Sequence, residues 1–246
     1  MTTLIVDIET IGERWEDFDE TTQDSLARWI DRVATSDHER QTKLEDLKNE
    51  LGFSPLTGRV VALGVYDLER TAGTVYYSGD ATVADEQIGS FWYRSRSEAD
   101  MLRAFWDGVA NYQVVVTFNG RLFDLPFILH RSIVHAVMPS IDLMRYRYLT
   151  QQQSPYHIDL ADQLTFYGSM MKRPSLHLFC RAYGIESPKG HGVSGEDVAR
   201  LYREGRVRDI AVYNTHDLLA TALLYEKWQT YLAPPLFRKI NDVYLQ

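Results

Sequence analysis

Between Leu4 and Thr10 the chain reads Leu-Ile-Val-Asp-Ile-Glu-Thr, an apolar run that holds two carboxylates one residue apart. This run restricts the fold most tightly, because it has the pattern of a buried strand, and a buried strand with two charges must accommodate them. Alternate residues of a strand face the same side, so Asp7 and Glu9 project together, roughly 6 to 7 Å apart at about 3.3 Å per residue. Held there, like charges repel. Protonation of one carboxyl relieves the repulsion by raising its pKa, whereas a divalent cation relieves it better and gives the arrangement a use.

The apolar pattern returns at Gly58–Tyr66, Thr74–Tyr77, Ser90–Tyr93 and Val114–Phe118, rich in β-branched and aromatic residues with turn residues between. With the first run, that makes five strands. Ser97 with Asp100 three residues on opens a helix through Val109 by the capping pattern, and Asn119-Gly120 marks a turn before a helix that begins near Asp124. Helices follow near Asp159–Tyr167, Ser175–Tyr183 and Gly195–Tyr202, and a long one covers Val207 to Tyr231. Early strands and later helices, without internal repeats, predict a single α/β domain over residues 1–246.

One segment stands apart. Glu13 to Leu51 carries 12 acidic and 6 basic residues, most of the net charge of −8. It predicts a charged helical insertion over residues 13–51, with amphipathic helices at Thr21–Val33 and Asp37–Leu51. A solvated flap is one reading of it; a lid over the Asp7 site, or a surface for a protein partner, is the other.

The net charge and a pI near 5.4 argue against a chain that grips duplex nucleic acid through phosphate neutralisation alone. They do not argue against nucleic-acid chemistry at a bound metal, since a site that recruits cations must itself be acidic. No apolar run approaches the roughly 20 residues of a membrane span, and Asp7 and Glu9 stand where a secretory signal would be uncharged, so a cytoplasmic location is expected. Cys180 is the single cysteine and reads as a small buried hydrophobe.

Two further sites stand in suggestive places. Asp124 follows a central strand and its turn, where a helix cap is the bland reading. Tyr213 and Asp217 lie four apart on one face of the last helix. Together with the first pair, Asp7-Ile-Glu9, Asn119-Gly-Arg-Leu-Phe-Asp124 and Tyr213-Asn-Thr-His-Asp217 resemble the three motifs of the DEDD superfamily of 3′-to-5′ exonucleases: D-x-E, N-x-x-x-[FY]-D and Y-x-x-x-D. The order is the same and nearly the whole chain is spanned. The histidine branch would place its His at Val212, so Tyr213 assigns the chain to the tyrosine branch, and His216 reads as an ordinary polar helix residue. Pro188-Lys-Gly190, Gly195, Val198 and the run Leu201–Gly205 look most like the bacterial and archaeal predicted exonucleases related to the proofreading domain of family B DNA polymerases.

The resemblance implies a ribonuclease H-like fold with a central mixed five-stranded sheet flanked by helices. It also implies that Asp7, Glu9, Asp124 and Asp217 hold two Mg²⁺ or Mn²⁺ ions. Four carboxylates balance two divalent ions in charge, and hard oxygen donors suit these metals. Tyr213 would orient or help deprotonate the attacking water. The implied partner is the 3′ end of a single-stranded nucleic acid, DNA favoured, with nucleoside 5′-monophosphates as products. In relatives the residues at Thr10 and Asn119 touch the terminal nucleotide. From the residues themselves, Phe123, Tyr156 and Tyr167 are candidate stacking surfaces, and Arg121, Lys172, Arg173 and Lys189 candidate phosphate contacts. Asp142, Asp159 and Asp162 read as caps, His157 and His177 as structural. Trimming of RNA 3′ ends stays open, because nothing in the chain reads a 2′-hydroxyl. A catalytically silent nucleic-acid-binding scaffold would be marked by a missing carboxylate, and all four are present.

Overall fold

The computed structural model describes residues 1–170, 172–186 and 197–238. In chain order its elements are β1 (Thr3–Gly12), α1 (Glu20–Ala27), α2 (Ile30–Val33), α3 (Asp37–Glu50), β2 (Gly58–Asp67), β3 (Ala72–Ser78), β4 (Glu86–Ile88), β5 (Phe91–Arg96), α4 (Glu98–Val109), β6 (Val114–Thr117), α5 (Asp124–Val134), β7 (Tyr156–Asp159), α6 (Leu160–Leu164), α7 (Leu176–Tyr183), α8 (Val198–Arg203) and α9 (Val207–Tyr231). Among the described residues seven strands form one sheet in the order β4-β5-β3-β2-β1-β6-β7. β1 is antiparallel to β2 and parallel to β6, so the sheet is mixed.

The sheet therefore has seven strands, not five. Both additions carry little apolar signal. β4, Glu86-Gln87-Ile88, is exposed throughout and pairs only with β5, while β7, Tyr156-His-Ile-Asp, is half polar. Edge strands like these are defined by the neighbour that offers hydrogen bonds, which local pattern does not reveal.

Alternation along β1 sorts its side chains onto two layers. Leu4, Val6 and Ile8 pack with Met101, Phe105 and Trp106 of α4 and Phe127 and Ile128 of α5. Ile5 and Ile11 face the other way, into a core shared with Ile210, Leu218 and Trp228 of α9. Asp7 and Glu9 share the parity of Ile5 and Ile11, so they project toward the α9 layer. A register shift between Glu9 and Thr10 marks a bulge just beyond the second carboxylate.

The 13–51 segment is helical, but its first predicted helix is divided into α1 and α2 around Arg28 and Trp29. Only Ala27 and Ile30 are buried there, too little packing to hold one longer helix together. α3 is capped by Ser36, which accepts from the Glu39 N–H at 3.2 Å, and buries no residue. The segment rejoins the sheet at the end of β1: Thr10 Oγ1 donates to the Gly52 carbonyl at 2.7 Å, and a Cβ on Gly12 would lie 2.6 Å from Leu51 Cβ. The glycine is what permits that approach.

No helix among the described residues is long and apolar enough to cross a membrane. Cys180 is fully buried in the α9-side core, where burial pushes its thiol up to about 11.

Candidate functional site

Three elements converge on Asp7. On β1 it pairs across the sheet with Gly64 of β2. α9 crosses this point closely enough that a Cβ on Gly64 would lie 1.9 Å from Asn214 Oδ1 and 2.6 Å from Leu218 Cδ1. The missing side chain lets the helix descend, and Asn214 Nδ2 then donates to Asp7 Oδ2 at 2.7 Å. One helical turn of α9 delivers Tyr213 and Asp217 beside it.

One oxygen each from Asp7, Glu9 and Asp217 lies within 4.8 Å of the other two. That is a separation a single hard cation can bridge, and an all-oxygen set matches the donors Mg²⁺, Mn²⁺ and Ca²⁺ prefer. Asn119 Oδ1, buried without a hydrogen-bond partner among the described residues, stands on the wall of the same cavity. Together the donors fit a divalent metal.

Asp124 joins this group differently. It is buried at the first position of α5, and its Oδ1 accepts the Ile8 N–H at 3.1 Å. β1 and β6 pair only through Thr3–Ile5, so the strands have parted by Ile8 and the α5 terminus enters the opening. Asp124 lies outside the three-oxygen cluster but close enough that its charge is felt by Asp7 and Glu9.

Electrostatically the site is strained without a cation. Asp7 is raised well above the usual carboxylate range by burial first, then by Asp124, Asp217 and Glu9. Glu9 is raised by burial, Asp217 and Asp124, against a hydrogen bond from Asn214 that favours its charge. Asp124 is pushed up to about 7, chiefly by burial, although the N–H groups of Asp124 and Ile8 oppose the shift. Tyr213 is raised by burial and by Asp217, to which its hydroxyl hydrogen-bonds, so it is held protonated.

A pH dependence follows. Folded-state pKa values above the unfolded ones stabilise fully below the unfolded value, about 4, and the stabilisation is lost as pH rises through the folded values, about 7 for Asp124. Metal-free protein should therefore melt at lower temperature at pH 8 than near pH 5, and Mn²⁺ at roughly 100 times its Kd should add about 3 kcal/mol, or about 5 to 10 °C. Calorimetry across the two pH values, with and without metal, is the measurement. A melting temperature indifferent to Mn²⁺ at pH 8 would sink the metal reading.

A cavity of about 390 Å³ opens beside the carboxylates, lined among others by Asp7, Asn119, Arg173, His177, Tyr213 and Asp217. Asn119, on its wall, is held by Asp159, which caps α6 through the Ala161 N–H at 2.9 Å and accepts the N–H groups of Asn119 (2.9 Å) and Arg121 (3.0 Å). Asn119 adopts φ +64°, a conformation Asn tolerates better than most residues.

The remaining expected residues fall in varied places. Thr10 is tied by its bond to Gly52, the residue that follows the 13–51 segment. Phe123 packs on Phe127 and on Phe53, with ring centroids 5.6 and 6.5 Å apart. Arg121 is committed elsewhere: its guanidinium donates to the carbonyls of Tyr146 (2.8 Å), Met144 (3.3 Å) and Leu143 (3.4 Å), clamping the 143–146 loop. Tyr156 packs on Phe237, and the Tyr167 hydroxyl accepts from the Leu149 N–H. Lys189 and the loop around it lie outside the described residues. His157 is buried between Thr117 Oγ1 and the Arg121 guanidinium, and burial lowers it to about 3.

Sequence pattern alone does not reveal the roles of Asn214 and Gly64. Asn214 lay in view between Tyr213 and Asp217, yet an Asn on a helix has no signature, and a glycine inside a strand signals a close approach without naming what approaches.

A mixed seven-stranded sheet flanked by helices, with Asp7 and Glu9 on its β1 strand and Asp124 and Asp217 on flanking helices, is a ribonuclease H-like α/β fold. A family model described as "Predicted 3'-5' exonuclease related to the exonuclease domain of PolB" matches residues 71–234, more than half of the 246 residues, and the chain belongs to that family. The matched region includes Asp124, Tyr213 and Asp217 and begins after Asp7 and Glu9. No curated protein matches the chain. Among solved structures, the family B DNA polymerase from the hyperthermophilic archaeon Pyrobaculum calidifontis is similar with a TM-score of 0.57 at 16% identity, over 93% of this chain and 24% of the polymerase. At that identity the likeness is one of fold, and the chain spans about a quarter of the polymerase's length.

Proposed function

We propose that the chain is a divalent-metal-dependent exonuclease of the tyrosine branch that removes nucleotides from the 3′ end of single-stranded nucleic acid, DNA favoured, and releases nucleoside 5′-monophosphates. The observation that carries the reading is the oxygen cluster of Asp7, Glu9 and Asp217 within 4.8 Å, at the edge of a cavity that also holds Tyr213. Family membership supports the reaction class, and the fold likeness to a DNA polymerase favours DNA.

Asp7, Glu9 and Asp217 would hold the cations, with Asp124 completing a four-carboxylate set that balances two Mg²⁺ or Mn²⁺ ions. Such ions supply charge neutralisation on the scissile phosphate and a lowered pKa for the attacking water. The chain's own groups do the positioning. Asn214 holds the Asp7 carboxylate in one rotamer through its 2.7 Å bond. Tyr213, protonated and tied to Asp217, presents its hydroxyl to orient the water for in-line attack. The water oxygen forms a bond to phosphorus as the bond from phosphorus to the 3′-oxygen breaks, and that oxygen leaves with a proton as a new 3′-hydroxyl. Thr10, near the end of β1, and Asn119, in the turn after β6, would contact the terminal nucleotide.

The deciding experiment is a digest of a 5′-labelled oligonucleotide with Mn²⁺, over single-stranded DNA, duplex DNA and RNA. The expected result is a ladder that shortens from the 3′ end, most readily on single-stranded DNA. Intact substrate in every lane defeats the enzyme reading, and RNA shortened in preference to DNA defeats the sugar preference.

A further inference from the structure

The basic aromatic run Arg145-Tyr146-Arg147-Tyr148 takes no part in the site described above, yet it is wired to it. Arg147 forms a two-pronged ion pair with Asp162, at 2.8 and 2.7 Å. Arg173, which lines the cavity, reaches the same Asp162 at 3.4 Å and Asp159 at 3.8 Å. Asp159 in turn holds the Asn119 turn, and Arg121 holds the Tyr146 carbonyl. The run and the cavity wall therefore belong to one network of guanidinium and carboxylate groups.

Its outer surface has an unusual composition for a chain of net charge −8. All four residues of the run are exposed, Tyr146 by 41% and Tyr148 by 47%. Arg145 makes no ion pair among the described residues, and its guanidinium lies 5.2 Å from the centre of the Tyr146 ring. Tyr148 leans on Tyr167 with ring centroids 4.7 Å apart. Next to Tyr167, Phe166 is 57% exposed, and both adopt left-handed backbone, φ +51° and +57°. Left-handed backbone is strained for consecutive aromatic residues, and such outliers gather at ligand sites.

We infer that this strip, running from the cavity wall at Arg173 along Arg147, Arg145 and the rings of Tyr146 and Tyr148, is the track for the body of a single-stranded nucleic acid whose 3′ end lies among the carboxylates. The inference rests on the exonuclease reading for its direction, and on charge complementarity and exposed rings for its ligand. Interleaved guanidinium and aromatic groups suit a flexible polyanion with stackable bases. Arg147 and Arg173 are shared with Asp162, so they position the strip, while Arg145 and the two exposed rings meet the strand. A track of this kind also reconciles an acidic chain with a polyanionic substrate, because the favourable charge is local.

The test separates binding from hydrolysis. Anisotropy of a fluorescent oligothymidylate of about 12 nucleotides, with Ca²⁺ in place of Mn²⁺, reads affinity against salt; hydrolysis of the p-nitrophenyl ester of thymidine 5′-monophosphate with Mn²⁺ reads the catalytic site alone. The double variant Arg145→Ala/Tyr146→Ala should bind the oligonucleotide on the order of tenfold more weakly, with a salt slope shallower by about 0.7, and hydrolyse the small ester as the wild type does. Tyr146→Phe should keep wild-type affinity, because stacking needs the ring and not the hydroxyl. Wild-type affinity and slope in the double variant would overturn the track while leaving the exonuclease intact. Conversely, a wild type that binds through the strip but shortens no strand with Mn²⁺ would overturn the exonuclease reading alone.

Discussion

Asp7→Asn should lower hydrolysis on the order of a thousandfold while raising the melting temperature of the metal-free protein. The two effects have one cause. Asp7 is a half-buried carboxylate whose charge is opposed by desolvation and by three carboxylates around it. An amide of the same shape can still accept from Asn214 Nδ2, so the local geometry survives while one mutually repelling charge disappears. The expected gain is a few °C at pH 8 and less near pH 5, where the cluster is already partly protonated. Addition of Mn²⁺ should stabilise the variant less than the wild type. Lost activity together with lost stability would mean that Asp7 is a structural residue, and unchanged activity would remove the site altogether.

Gly64→Ala should damage the same site without touching a carboxylate. Its Cβ would meet Asn214 Oδ1 at 1.9 Å and Leu218 Cδ1 at 2.6 Å, so α9 must lift or Asn214 must swing away. Overpacking of this kind costs about 1 to 3 kcal/mol. Because α9 also carries Tyr213 and Asp217, a displacement of about 1 Å is expected to lower activity on the order of a hundredfold. Adding Asn214→Ala should relieve most of the clash and recover stability, but not activity, since Asp7 then lacks the amide that orients it. A single variant with wild-type rate and stability would show that the helix does not need this glycine to approach.

Much of the site is legible in the sequence. Asp7 and Glu9 were placed on one face of a strand by its period of two, Tyr213 and Asp217 on one face of a helix by its period near four, and Asp124 at a helix start by the Asn119-Gly120 turn before it. Each of these inferences is local, and the structure keeps all three elements. Less local properties escaped. β7 has no apolar alternation to announce it, yet its last residue, Asp159, pins the Asn119 turn. By charge Arg121 reads as a candidate phosphate contact, and only the 143–146 carbonyls around it reveal a clamp.

Hydrophobic period and motif order in the linear chain were sufficient for the α/β class, the strand carrying the first carboxylates, the helix carrying the last, and their resemblance to one exonuclease superfamily. These depend on contacts between residues a few positions apart, whose geometry is set by the backbone. Which three oxygens meet, and which one stands aside, depends on contacts between residues more than a hundred positions apart: Ile8 with Asp124, Asp7 with Asn214. Those contacts exist because two strands part after Ile5 and because a glycine lets one helix sink onto the sheet. Close approach is a property of packed surfaces, and no period along the chain encodes it.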